Sequence, residues 1–169
     1  MTKIEVVSGD IARVESDALI TAINSGGMWF GGIDGVIQRA AGELFHQQAA
    51  NAKLVDGEAI VARGGNRNSG KFKNVIFVVD DLTRPLHQIV LAGLRTAETS
   101  GFSSVSLPTI RMGVMLGVVE KTPQQAVSEM VHGVNIFLSE NPKSVQNITV
   151  VVYNETNLHR LLASAFSAN

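Results

Sequence analysis

The chain has 169 residues, 45% of them hydrophobic and 17% charged, and a formal net charge of −1 at pH 7. That length suits one domain, residues 1–169, with a full core; the composition excludes a disordered chain, and the charge leaves no basic surplus to drive nucleic-acid binding by counterion release. The absence of cysteine excludes disulfides, thiolate zinc sites and a cysteine nucleophile, and because the chain enters a strand pattern at once with no apolar leader, a cytoplasmic protein without a membrane segment is expected.

Lys3 to Ser8 reads as a strand ending at the turn Gly9-Asp10, and a short polar link leads to a second, buried strand in the largely apolar run from Ala18 to Ile23. Asn24 to Gly32 is a glycine-rich loop, after which Ile33, Val36, Ile37, Ala40, Ala41, Leu44 and Phe45 recur at helical spacing and predict one long amphipathic helix. Strand, glycine loop, helix is an order that cradles ligands. Glycines let a ligand approach main-chain N–H groups, and the first N–H groups of a helix lack intrahelical acceptors and favour an anion such as a diphosphate. The loop is neither of the two common nucleotide loops, since it has no Gly-Lys-Ser/Thr ending and no G-x-G-x-x-G.

Glu58 to Arg63 reads as a strand, Gly64 to Gly70 as a polar turn, and Asn74 to Val79 as a strand covered on both faces. Thr83 is read as the N-cap of a helix with Pro85 in its first turn, closed by Gly101. A short strand, Ser104 to Leu107, leads through Pro108 into a second loop with glycines at 113 and 117. Thr122 and Gln125 form a capping box for a helix buried through Ala126, Met130, Val131, Val134, Phe137 and Leu138. Asn147 to Tyr153 is the last strand, and Leu158, Leu161, Leu162, Ala165 and Phe166 give a closing helix its apolar face.

Alternating Val/Ile-rich strands and helices predict an α/β chain with a mostly parallel sheet between helices. The first two strands lack a long crossover, so the sheet is expected to be mixed. Ligands of such sheets sit outside the carboxyl ends of the strands. Asp10, Asn24, Arg111 and Asn154 all follow strand ends, so four loops can meet at one cleft.

The segments GDI at 9–11, DALITAINS, GGIDGVIQRAAG, PTIRMGV and VVVYNETNLHRLL resemble, in this order, the macrodomain family, whose members are three-layer α/β/α modules that bind ADP-ribose as readers or hydrolases. The likeness implies that Asp10 accepts the adenine amino group beside the Ile11 N–H, where the residue alone reads as a turn cap. It implies that Asn24 holds distal-ribose hydroxyls, where the residue alone reads as a strand end. Gly31, Gly32 and Ile33 would surround the diphosphate and distal ribose from one side, and Met112, Gly113 and Val114 from the other. Tyr153 and Asn154 would flank the adenosine, with plain sheet-edge packing as the alternative for Tyr153.

Asp34 falls on the aspartate that in the hydrolase branch orients a water toward the distal ribose; a carboxylate in a first helical turn is also simply good capping. Asp34 and Asn24 are therefore the catalytic candidates. The likeness also has departures. Gln38 stands in place of a companion histidine, Thr21 in place of an asparagine, and Arg111 in place of a serine, where a guanidinium can pair with phosphate. Trp29 and Phe30 occupy glycine positions, where they either narrow the distal-ribose pocket or stack on the ligand, and Met115 stands where an aromatic packs on the ribose, so one of the two rings is expected to take over that packing. His46, His87, His132 and His159 have no metal-ligand spacing and read as core or surface residues. No metal and no cofactor are expected. The expected partner is ADP-ribose or an ADP-ribosylated protein, bound by a monomer. The alternatives are a reader without turnover and, from another class, a module for single-stranded RNA or adenine nucleotides, which the charge balance disfavours.

Overall fold

A computed structural model describes residues 1–28 and 32–168. Six strands, β1 (Lys3–Ser8), β2 (Ser16–Ile23), β3 (Ala59–Arg63), β4 (Phe72–Val79), β5 (Ser104–Leu107) and β6 (Asn147–Val152), form one sheet in the order β1-β6-β5-β2-β4-β3. Five helices accompany them: α1 (Gly32–Ala41), α2 (Leu44–Ala50), α3 (Leu86–Thr99), α4 (Pro123–Ser139) and α5 (Thr156–Ser167). None of the helices described is long and apolar enough to cross a membrane.

The period-two alternation of the central strands creates the layers. Ala18, Ile20 and Ala22 of β2, with Ile76 and Val78 of β4, enter the core shared with α3, α4 and α5. Leu19 and Ile23, with Val75 and Phe77, enter the opposite core with Ile37 of α1 and Phe45 of α2. Both faces are buried, which accounts for the near-continuous apolar runs of these two strands.

The sheet is mixed, but for a different reason from the one expected. β1 runs parallel to β6, and β2 parallel to both β5 and β4; the antiparallel member is β3, on β4. β1 and β2 are not neighbours. The link between them, Gly9 to Glu15 with a single 3₁₀ turn at Ile11–Arg13, returns the chain beneath strands added later, so no helical crossover is needed.

Two helix boundaries also differ from expectation. The apolar stripe from Ile33 to Phe45 does not build one helix: Gly42, at φ +59°, ends α1, and its N–H reaches the Gln38 carbonyl. A left-handed residue at this place is a common helix stop that glycine accepts without a Cβ penalty. The N-cap of α3 is Pro85 rather than Thr83, whose hydroxyl donates to Asp56 instead. The opening N–H groups of α3 find distant acceptors, Leu86 N–H donating to Glu120 and His87 N–H to Glu129. At α4 the expected cap is present: Thr122 Oγ1 accepts from the Gln125 N–H, while the Gln125 side chain accepts from Lys121 N–H, one residue before the cap.

Candidate functional site

Where β1, β4, β5 and β6 end, the loops that follow enclose a cleft of about 610 Å³ together with the first turns of α1. From β1 come Asp10 and Ile11; from α1, Gly32, Ile33, Gly35, Val36 and Arg39; from the end of β4, Asp80; from the loop after β5, Arg111, Gly113, Val114 and Met115; and from the end of β6, Tyr153. Thr21 and Ala22 of β2 also line it.

Asp10 serves the backbone and the cleft together. Its Oδ1 caps the 3₁₀ turn by accepting from Ala12 N–H at 2.9 Å, while the residue lines the cavity. Gly32 and Ile33 open α1, so their N–H groups have no partner within the helix. Val114 is 80% exposed and Tyr153 74%, so the ring is not covered by sheet-edge packing and stands at the rim as an apolar surface.

Asn24, Asp34, Met112 and Asn154 are not among the residues that line the cleft. Asn24 closes its own loop, with Oδ1 accepting from Met28 N–H at 2.8 Å and its backbone N–H donating to the Met28 carbonyl. Phe30 and Gly31, with Trp29 and the packing role expected of the aromatic pair, lie outside the described residues.

Asp34 turns toward α2. Its Oδ1 lies 2.6 Å from Nε2 of His46, which is 7% exposed and packs near the Phe77 ring. Thus the partner of Asp34 is His46, twelve residues away. Gln38, four residues on, instead donates to Glu43. Reading the histidines as isolated core or surface residues missed this pair, and missed that His87 binds Glu129 at 2.7 Å. No sequence signal pointed to the Asp34–His46 pair, because the stripe from Ile33 to Phe45 reads as one helix running on past Gly42.

The largest correction concerns Arg111. Its guanidinium does not reach out for phosphate; it is buried between two carboxylates. Nε donates to Asp80 Oδ2 at 2.9 Å, Nη2 to Asp80 Oδ1 at 2.6 Å and Nη1 to Glu120 Oε1 at 2.9 Å. The three side chains are 2%, 1% and 3% exposed. Asp80 Oδ1 also accepts from Leu82 N–H and Glu120 Oε2 from Leu86 N–H, so every carboxylate oxygen is satisfied. Burial works against the Arg111 charge, but hydrogen bonding and attraction to Asp80, then Glu120, more than offset it and raise its pKa above the ordinary arginine value. The backbone of Arg111 is held at φ +63°, a conformation that costs a non-glycine residue roughly 1–3 kcal/mol. The triad fastens the loop carrying Gly113 to Met115 onto the end of β4 and the start of α3. Asp80 gave no sign of this role in the sequence, because its partner lies 31 residues away.

Comparison with known proteins places the chain in a family and matches its fold. The family model described as Macro domain matches residues 20–126. The O-acetyl-ADP-ribose deacetylase of Escherichia fergusonii is 30% identical, the alignment covering 92% of this chain and 91% of the relative. That of an Enterobacter species is 31% identical over 92% and 89%. Among solved structures, a Trypanosoma brucei macrodomain in complex with ADP-ribose superposes with a TM-score of 0.80 at 20% identity, covering 96% of this chain and 68% of that one. An Oceanobacillus iheyensis macrodomain with ADP gives 0.74 at 21% identity, covering 99% and 91%.

Proposed function

Because this chain belongs to the Macro domain family, we propose that its cleft binds ADP-ribose, free or attached to a protein, and that the chain hydrolyses an ADP-ribosyl-linked ester such as O-acetyl-ADP-ribose. One observation carries the reading: Asp10-Ile11, the opening turn of α1, the Gly113–Met115 loop and Tyr153 surround a single cleft. Each element suits one part of the ligand. Asp10 keeps a second carboxylate oxygen for the adenine amino group, and Tyr153 offers a face to the base. The N–H groups at Gly32 and Ile33 and those of the Gly113-Val114 segment are main-chain donors of the kind that hold a diphosphate. A monomer acting in the cytoplasm on a nucleotide or a modified protein, rather than on nucleic acid, belongs to the same reading.

For turnover, the second carboxylate oxygen of Asp34 takes a proton from a water that adds to the ester carbonyl carbon and returns it to the ribose oxygen as the acyl C–O bond breaks and acetate leaves, while His46, 2.6 Å from the first oxygen, holds the carboxylate in place. Asp34 with a buried histidine forms an acid–base pair even though Gln38 cannot titrate near neutral pH. A reader without turnover is the second reading, and the observation favouring it is that Asp34 does not line the cleft.

Calorimetry with ADP-ribose and AMP, followed by acetate release from O-acetyl-ADP-ribose by wild type and Asp34→Ala, tests both. The expected result is binding of ADP-ribose and turnover that the substitution abolishes. Binding without turnover in wild type selects the reader, and no binding of ADP-ribose removes both.

A further inference from the structure

We infer that Arg39, not Arg111, is the cation that neutralises the phosphates of the ligand in this cleft. The inference rests on the ADP-ribose reading and names the side chain that supplies its charge balance. Four charged residues line the cavity among those described: Asp10, Arg39, Asp80 and Arg111. Arg111 is spent, all three of its donor nitrogens being directed at Asp80 and Glu120. Those three side chains sum to one negative charge, and Asp10 brings another carboxylate, with the exposed Arg13 4.0 Å from its Oδ2 but outside the lining. Without Arg39 the residues that line the cavity would meet an anionic ligand with negative charge alone.

Arg39 is placed to reverse this. It stands in the last turn of α1 on the stripe Gly32, Gly35, Val36 and Arg39, the face of the helix that borders the cavity. Long side chains on a helix lean toward its N-terminus. Arg39 does so: its Nη1 lies 3.2 Å from where a Cβ on Gly35 would sit, a full turn upstream. The glycine leaves room for the guanidinium to lie along the helix surface toward the opening N–H groups. Among the described residues Arg39 makes no hydrogen bond and no ion pair, so its planar fork of donors is uncommitted and suits a phosphate.

The experiment is a ladder of ligands, ADP-ribose, ADP, AMP and adenosine, titrated by competition against wild type, Arg39→Gln and Arg39→Lys. Arg39 is exposed, so both variants are expected to melt with wild type. The expected result is about tenfold weaker ADP-ribose and ADP binding in Arg39→Gln, the scale of one lost charge-assisted hydrogen bond. AMP should lose less, adenosine should stay within about twofold, and Arg39→Lys should recover part of the loss. An equal loss for adenosine would overturn the assignment and place Arg39 against the base; unchanged affinity for all four would overturn it outright. If wild type binds none of the four, the ADP-ribose reading itself fails and takes this inference with it, a result distinct from a wild type that binds and variants that match it.

Discussion

Replacing Arg111 by methionine keeps an unbranched apolar stem and removes the charge and the three hydrogen bonds to Asp80 and Glu120. Two carboxylates are then left buried, each retaining one backbone N–H, from Leu82 and Leu86. Removing one partner from a buried ion pair costs about 3–5 kcal/mol, most of it the uncompensated charge rather than the net worth of the pair. Against a domain stability of about 5–15 kcal/mol, that loss is readily measured by urea unfolding. Apolar residues at all three positions would orphan the Leu82 and Leu86 N–H groups, so the informative rescue is Asp80→Asn with Glu120→Gln in the methionine background, which removes the charges and keeps an acceptor at each site. The triple variant should regain much of the loss. A single variant within about 1 kcal/mol of wild type, the range of exposed pairs, or a triple variant that regains none of the loss, would refute the reasoning.

Gly133 of α4 lies against the backbone of α3, where a Cβ would meet the His87 carbonyl oxygen at 2.8 Å and its Cα at 3.2 Å. Gly133→Ala should therefore lower the melting temperature despite a gain of about 1 kcal/mol in helix propensity, and an equal or higher value would show that the helices simply separate. Glu98 accepts the N–H groups of Lys143, Ser144 and Val145; burial opposes its charge, but the Val145, Ser144 and Lys143 donors hold its carboxyl below the usual glutamate range. Its folded pKa is lower than its unfolded one, so the stability it contributes is complete above the ordinary glutamate value and is lost as the pH falls through the folded one. Glu98→Gln should be less stable than wild type at neutral pH and converge with it in acid; parallel pH–stability curves would contradict this.

What could be read from the sequence was whatever depends on neighbours in the chain. The apolar runs of β2 and β4 and the Thr122 cap are each fixed within a few residues, and the structure has them there. Long-range partners were not legible. The start of α3 is set by Glu120 and Glu129, and the orientation of Asp34 by a histidine beyond the Gly42 break. The edge position of β1 depends on β6, the last strand to be made. The two arginines show how this changes a chemical reading. Arg111 sits in a glycine loop, which locally suggests an anion ligand, yet a carboxylate 31 residues away claims it. Arg39 sits in an ordinary amphipathic helix, which locally suggests a solvated face. The spacing 32, 35, 36 and 39 nevertheless marks a second helical stripe, distinct from the buried positions Ile37 and Ala41. A helix at the mouth of such a sheet has two faces to account for, one for the core and one for the ligand. A cation on the second face belongs to the site until a carboxylate is found for it.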